Sequence, residues 1–154
     1  MESVWDYPHP PALVPCTRRV RIELGGATIA DSTRALRILE TSHPPTIYVP
    51  PADIPPGVLT ERAGRTSFCE YKGSATYLDV TAGGCVEAAA AWTYRDPSAA
   101  FRALRDHVAF YPSRMDRCLL DDEVVLAQAG DFYGGWVTAD LQGPFKGGPG
   151  TLGW

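Results

Sequence analysis

Glycine and proline interrupt this chain so often that little room is left for long helices. The 154 residues include 15 glycines and 14 prolines, which lie between short apolar runs rather than in one tract. Glycine favours turns and proline removes a backbone hydrogen-bond donor, so this spacing confines each regular segment to a few residues. We therefore expect a protein with many turns, built mainly from short β-strands.

Alternation of side-chain character indicates where the strands lie. Residues 18–24 alternate charged and apolar side chains, and Gly25-Gly26 follows as a hairpin turn. Further strands are expected over 66–72, 75–81 and 85–94, the last two joined by Gly83-Gly84. The run of alanines at 88–91 is compatible with a helix, but its position soon after a hairpin turn favours a strand.

One segment has the features of a helix start. Asp96 is a suitable N-cap, and Pro97 then occupies the first helical position. Phe101, Leu104 and Val108 follow at helical spacing, so one short helix is predicted near 97–109. The sum is a single domain that is mainly β, with antiparallel strands and this helix.

The two ends of the chain differ in composition from the middle. Residues 1–17 are rich in proline and should form an extended arm on the domain, because Trp5 and Tyr7 are costly to leave in water. Residues 18–127 carry the strand pattern of the core, and 128–154 form a glycine-rich and aromatic tail packed on it. Arm and tail together could also form a surface for a partner protein or a homodimer.

Charge and hydropathy exclude several classes of partner. The net charge is −4 and the only basic cluster is at Arg18, Arg19 and Arg21, so we expect no nucleic-acid binding. No apolar run approaches about 18 residues, so we expect no membrane span. Residues 1–8 lack the basic start and apolar stretch of a signal peptide, which predicts a cytoplasmic protein.

Metal and cofactor motifs are missing from the sequence. A structural zinc site needs ligand pairs at short spacing, and the chain contains no C-x-x-C. The two common glycine-rich phosphate-binding motifs are also missing. We therefore expect no metal and no cofactor, and free thiols in a reducing compartment at Cys16, Cys69, Cys85 and Cys118.

Aromatic side chains concentrate on two neighbouring predicted strands. Trp92 and Tyr94 share one strand face, and Tyr77 lies beside the small Ala75 on the preceding strand. Small residues next to large ones leave concave space, and aromatic walls bind planar or cationic ligands. The same rings could instead fill a core, and both interpretations stay open at this point.

Charged and nucleophilic residues accompany these rings. On a strand, Glu70 and Lys72 would share a face, either as a solvated pair or at the rim of an aromatic pocket. Cys69 is expected in the core, since cysteine is among the most buried residue types. It would act as a nucleophile if the fold brought His43 or His107 to it.

Four motifs occur along the chain: Glu40-Thr41-x-x-Pro44-Pro45-x-x-Tyr48-x-Pro50, Cys69-x-x-Lys72-Gly73-x-Ala75-x-Tyr77, Ala91-Trp92-x-Tyr94-x-Asp96-Pro97 and Phe110-Tyr111-Pro112. In combination they resemble the bacterial family known as domain of unknown function 427, often labelled nucleotidyltransferase-like. The resemblance implies a β-tent fold, in which two antiparallel sheets meet at an angle. The chain lacks the cysteine pairs that hold zinc in relatives of that fold, and the Gly-Ser pair and spaced aspartates of nucleotidyltransferases.

The resemblance also implies a ligand cage between the sheets. Its candidate residues are four aromatic walls and two polar anchors: Tyr48, Tyr77, Trp92 and Tyr94, with Glu40 and Lys72. We therefore predict a small-molecule-binding protein without demonstrable enzymatic activity. One alternative is a hydrolase or transferase that acts on a nucleotide-like molecule through Cys69, or through Lys72 and Glu40. Another is a protein interaction module.

Overall fold

Strands hold 46% of the residues and helical turns 10%, so the molecule is mainly β, as the sequence predicts. The computed structural model describes residues 1–130 and 132–154, and over these ranges the chain forms fifteen strands. They are β1 Glu2–Ser3, β2 Ala12–Pro15, β3 Val20–Leu24, β4 Ala27–Ser32, β5 Leu36–Leu39, β6 Thr46–Tyr48, β7 Leu59–Cys69, β8 Gly73–Ala82, β9 Cys85–Thr93, β10 Val108–Phe110, β11 Arg117–Leu120, β12 Glu123–Val124, β13 Leu126–Ala127, β14 Trp136–Val137 and β15 Leu141–Gln142. The helical segments are short 3₁₀ turns at Val4–Asp6, Pro51–Asp53, Ala99–Leu104 and Pro112–Arg114. No helix in the described ranges has the length and apolar character needed to cross a membrane.

In the described part of the chain, three antiparallel sheets carry most of the fold. Two have four strands, in the orders β10-β9-β8-β7 and β12-β11-β3-β4, and the third has the order β2-β5-β6. Val49 and Val108 exchange backbone hydrogen bonds of 2.8 Å, which links the three-stranded sheet to the edge at β10. The prediction of a mainly β domain with antiparallel sheets is confirmed, and its strands are divided among three larger sheets where the resemblance implied two.

The β7–β10 sheet separates two apolar clusters, because side chains alternate across its strands. One face places Leu78 and Val80 in a cluster with side chains from β3, β4 and β11. The opposite face places Tyr77 and Trp92 in a second cluster with Tyr48 from β6. Aromatic side chains therefore gather on the second face of this sheet.

The helix predicted near 97–109 is shorter and of a different type. It is the 3₁₀ turn Ala99–Leu104, and its N-cap position is Ser98 rather than Asp96. The chain is already a strand at Val108, because β10 pairs with β9 there. Apolar side chains three residues apart also align in a 3₁₀ turn, so the sequence spacing fitted both helix types.

Both ends of the chain are built into the folded unit. β1 pairs in parallel with β15, and β2 forms an edge of the three-stranded sheet. Trp5 packs edge-on against Trp154 at a centroid distance of 5.3 Å and donates a 2.8 Å hydrogen bond to the carbonyl of Pro144. Tyr7 is buried. Residues 1–17 thus contain two strands and a 3₁₀ turn as well as extended backbone.

Asp79 stabilises an irregularity in the pairing of β8 with β9. The register of these strands shifts between Leu78 and Val80, and Asp79 Oδ1 accepts a 2.8 Å hydrogen bond from the amide of Ala89. Arg62 donates to the two carboxylate oxygens of Asp79 at 3.1 and 3.2 Å. The Ala89 amide and the Arg62 guanidinium hold the pKa of Asp79 below its ordinary value of 3.8, although desolvation acts in the opposite direction.

We expect Asp79→Asn to destabilise the protein at neutral pH and much less in acid. The folded-state pKa of Asp79 lies below its unfolded value, so its stabilising contribution is complete above pH 3.8 and is lost as the pH falls through the folded-state pKa. Urea unfolding at about pH 7 and about pH 3 should show a wild-type advantage that narrows in acid. Asp96→Asn is the control, because Asp96 is exposed and its carboxylate forms no hydrogen bond or ion pair with a described residue. An equal difference at both pH values would contradict this role of Asp79.

Candidate functional site

A cavity of about 360 Å³ opens on the second face of the β7–β10 sheet. Its walls come from the β7–β8 hairpin, from β9, from the ends of β5 and β6, and from the tail between residues 128 and 146. All of the predicted site residues line it: Glu40, Tyr48, Lys72, Tyr77, Trp92 and Tyr94. The fold brings these side chains together, and their contact with a ligand stays a prediction.

Aromatic side chains form the floor of the cavity: Tyr48, Tyr77, Trp92, Tyr94 and Tyr111. The ring centroids of Trp92 and Tyr111 are 4.7 Å apart, and Tyr48 meets Trp92 edge-on at 6.2 Å. These distances are typical of attractive aromatic pairs. Ala75 lines the same space with a side chain too small to fill it. The rings are thus part of a packed cluster and also border open volume.

The polar atoms of the floor are largely occupied within the protein. Nε1 of Trp92 donates to Oη of Tyr48 at 3.3 Å. Oη of Tyr111 donates to the carbonyl of Phe132 at 2.9 Å. Because these groups already have partners, the floor offers ring faces and edges to a ligand more than free hydrogen-bonding atoms.

Burial keeps three phenols of the floor uncharged. It raises the pKa of Tyr48, Tyr94 and Tyr111, because the charged form of each loses hydration. Oη of Tyr77 shares a 3.1 Å hydrogen bond with Oγ of Ser67. Tyr48, Tyr94 and Tyr111 therefore contribute neutral surface at physiological pH.

Glu70 and Lys72 do not share a strand face, which corrects the prediction made from their spacing. β7 ends at Cys69 and β8 begins at Gly73, and these two residues pair. Glu70 and Lys72 lie in the turn between the strands, where side chains no longer alternate. Both nevertheless line the cavity, and because Glu70 is exposed and Lys72 is half-buried, they lie at its mouth.

Other charged side chains reach the mouth from distant parts of the sequence. Glu40 follows β5, and its carboxylate lies 3.6 Å from Nδ1 of His9. Nζ of Lys146, in the tail, donates to the carbonyl of Trp154 at 2.9 Å. The mouth thus carries both signs of charge above the aromatic floor.

His43 lies among these charges as a neutral base. Its Nδ1 is 2.9 Å from the carbonyl of Thr41, which can only accept, so Nδ1 carries the proton and Nε2 is an acceptor. Burial lowers the pKa of His43, while the bond to Thr41 and the Glu40 carboxylate act against this. The ammonium groups of Lys146 and Lys72 lower it further. Three charged groups are therefore within electrostatic reach of one imidazole in the cavity wall.

Cys69 is not a core residue, contrary to expectation. It is half-buried at the end of β7 and lines the cavity. β7 is an edge strand with mostly exposed residues, so its inner side faces open volume rather than a packed layer. Among the described residues, the Cys69 thiol forms no hydrogen bond with His43 or His107, whose Nδ1 atoms lie against backbone carbonyls.

The tail supplies a cavity wall that the sequence did not predict. Gln128 is buried, its Nε2 donates to the carbonyl of Lys146 at 2.6 Å, and its Oε1 accepts from the amide of Gly135 at 3.1 Å. These bonds hold the two halves of the tail together beside the cavity. Gly134 lies against the indole of Trp92. The local sequence of Gln128 gives no signal of this role, because it depends on segments distant along the chain.

Tyr111 was also missed as a cavity residue. It follows β10 directly, and its ring packs on Trp92. Two signals in the sequence could have identified it: its place in the Phe110-Tyr111-Pro112 motif, and its alternation with Phe110, which faces the other cluster.

The thiols and imidazoles do not fit a metal centre. Cys16 and Cys118 are buried in the first cluster, Cys69 lines the cavity and Cys85 is exposed. Burial raises the pKa of the Cys118 thiol. Within residues 1–130 and 132–154, no three His, Cys, Asp or Glu side chains are grouped to hold an ion.

Comparison with known proteins gives one result. The sequence model of a family described as a domain of unknown function (DUF427) matches residues 12–121. A search of curated proteins found no match. The matched range contains all six predicted site residues, whereas His9 and the tail wall lie outside it.

Proposed function

The chain belongs to the DUF427 family, and we propose that it binds a small organic molecule in the aromatic cavity. The family description assigns no activity, so the proposal rests on the site. The observation that carries it is the open volume of about 360 Å³ above the aromatic floor. Small-molecule pockets typically measure about 300–1,000 Å³, whereas directly packed core rings leave few voids larger than a water molecule.

The binding hypothesis has more support than an enzyme based on Cys69. A catalytic thiol needs a base or a cationic group that lowers its pKa. In the described residues neither His43 nor His107 donates to the sulfur or accepts from it. It also has more support than an interaction module formed by arm and tail, because Trp5 and Trp154 pack against each other within the chain.

We expect a ligand of this cavity to raise the melting temperature in a screen of small aromatic compounds. A ligand that binds only the folded state, at roughly 100 times its Kd, adds about 2.7 kcal/mol to the free energy of unfolding. For a chain of this size the melting temperature should rise by roughly 5–10 °C. Differential scanning fluorimetry measures the shift.

Cysteine alkylation then locates the bound molecule. Cys69 lines the cavity and Cys85 is exposed on β9, whereas Cys16 and Cys118 are buried. The native protein should therefore react at Cys69 and Cys85, and a cavity ligand should slow the reaction at Cys69 only. Cys85 is the internal control. A screen in which no compound both raises the melting temperature and protects Cys69 would count against the proposal.

A further inference from the structure

Lysine is rare in this chain, and both lysines line the cavity. Lys72 comes from the β7–β8 turn and Lys146 from the tail. Of the twelve arginines, nine form ion pairs with carboxylates of described residues. Neither lysine forms such a pair with a described residue. The fold thus uses arginine for internal pairing and brings two lysine ammonium groups to one opening.

Two carboxylates share that opening with the lysines. Glu40 and Glu70 both line the cavity, and desolvation together with these two carboxylates raises the pKa of Tyr71 beside them in the cavity wall. The lysines act instead on His43, as described above. No lysine–glutamate ion pair forms here within residues 1–130 and 132–154. Lys146 donates to the main chain of Trp154 and Glu40 lies near His9, so charges of both signs border the cavity without a lysine–glutamate pair among the described residues.

We propose that the cavity binds a zwitterion that carries a flat apolar ring, with an aromatic α-amino acid as the simplest representative. Its ring packs on Trp92 and Tyr94, its carboxylate lies beside Lys72, and its ammonium lies beside Glu40. This assignment rests on the proposed function and names the class of ligand for the same site.

The composition of the cavity disfavours the neighbouring ligand classes. A nucleotide would set phosphates against Glu40 and Glu70, and its base would find few free partners on a floor whose polar atoms are already bonded. A purely anionic ligand would desolvate Glu40 and Glu70 without offering them an opposite charge. A purely cationic ligand would desolvate Lys72 and Lys146 in the same way. A zwitterion compensates both signs at once.

Isothermal titration with matched compounds tests the assignment. The probes are L-phenylalanine, L-tyrosine and L-tryptophan, each compared with the amine that lacks its carboxylate and the acid that lacks its ammonium. At least one amino acid should bind about tenfold more tightly than both of its analogues, because charged hydrogen-bonding groups at a partly buried mouth discriminate by this much.

Charge-neutral variants assign each end of the ligand. Lys72→Met should weaken binding of the amino acid and the acid analogue about tenfold and leave the amine analogue unchanged. Glu40→Gln should weaken the amino acid and the amine analogue and leave the acid analogue unchanged. Unchanged binding of the amine analogue to Lys72→Met, and of the acid analogue to Glu40→Gln, shows that the cavity of each variant is still folded. Glu61→Gln, at an exposed position outside the cavity, is the matched control and should bind as the wild type does.

The outcomes separate this assignment from the proposed function. If none of the three amino acids binds more tightly than both of its analogues, the zwitterion assignment is overturned. A Lys72→Met variant that binds all three compounds as before also overturns it. If the amino acids fail to bind while another compound raises the melting temperature and protects Cys69, the zwitterion assignment is wrong and small-molecule binding stands. If every compound fails both tests, both proposals fall.

Discussion

Gly83→Ala should destabilise the protein by at least about 3 kcal/mol, far more than Gly84→Ala next to it. A Cβ atom on Gly83 would lie 1.9 Å from the carbonyl oxygen of Gly25 and 2.6 Å from its carbonyl carbon. Gly25 and Gly83 belong to the turns of the β3–β4 and β8–β9 hairpins, which come from different sheets and touch backbone to backbone. Because the obstacle is main chain, no side chain can rotate away to admit the methyl group.

Gly84→Ala is the matched control for this contact. Gly83 has a φ of 55° and Gly84 a φ of 81°, so alanine is strained at both positions, but within residues 1–130 and 132–154 no atom lies within 4 Å of a Cβ on Gly84. The free energy of unfolding of Gly84→Ala should therefore fall only by the cost of placing alanine at a positive φ, about 1 kcal/mol.

Urea unfolding of Gly83→Ala and Gly84→Ala measures the difference between their free energies of unfolding. This difference is the cost of disrupting the contact between the hairpins. Gly25→Ala should resemble Gly83→Ala, since its Cβ would lie 2.3 Å from the carbonyl oxygen of Ala82. The variant that carries both Gly25→Ala and Gly83→Ala should lose less free energy of unfolding than the two single variants lose together, because both changes disrupt one contact. Equal losses for Gly83→Ala and Gly84→Ala would show that the hairpins do not touch in solution.

Gly134→Ala is expected to abolish ligand binding while leaving the protein folded. A Cβ atom there would lie 2.4 Å from Cη2 and 2.8 Å from Cζ3 of Trp92. Trp92 is held by Tyr111 and Tyr48, so the indole must shift into the cavity or the tail must move away from it. The affinity for the ligand should fall more than tenfold. Overpacking of this kind lowers the free energy of unfolding by about 1–3 kcal/mol, so the protein should stay folded. The readouts are the ligand-induced rise in melting temperature and the protection of Cys69.

Gly148→Ala is the control for the cavity variant. Gly148 lies in the same tail, and no atom of a described residue lies within 4 Å of a Cβ built on it. Neither Gly134 nor Gly148 has a positive φ, so alanine adds no backbone strain at either site. Gly148→Ala should bind as the wild type does. A Gly134→Ala variant with unchanged affinity would exclude Trp92 from the ligand site.

The strands and hairpin turns could be predicted because their signals are local. The strand over 85–94 was expected despite its alanines, and the structure has it as β9. Gly25-Gly26 and Gly83-Gly84 were expected as turns and have the positive φ values that such turns require. The helix near 97–109 was misjudged in type and length because i, i+3 spacing does not distinguish a 3₁₀ turn from an α-helix.

The candidate site was predicted in part. The aromatic residues of β8 and β9 and the lysine of the hairpin turn are recognisable from alternation and from the family motifs. Lys146 and Gln128 carry no comparable signal, because they reach the cavity only through the path of the tail. Cys69 was assigned to the core from a residue-type preference, but an edge strand left its inner side facing open volume.

The sequence by itself determined the class of fold and the side-chain types of one sheet face, since periodicity and turn chemistry act over a few neighbouring residues. Only the tertiary structure decided that the aromatic cluster borders a cavity of about 360 Å³. Whether rings fill a space or line it depends on the distance between segments that are far apart in sequence. Here β5, β8, β9 and the tail set that distance, and side-chain alternation carries no information about it.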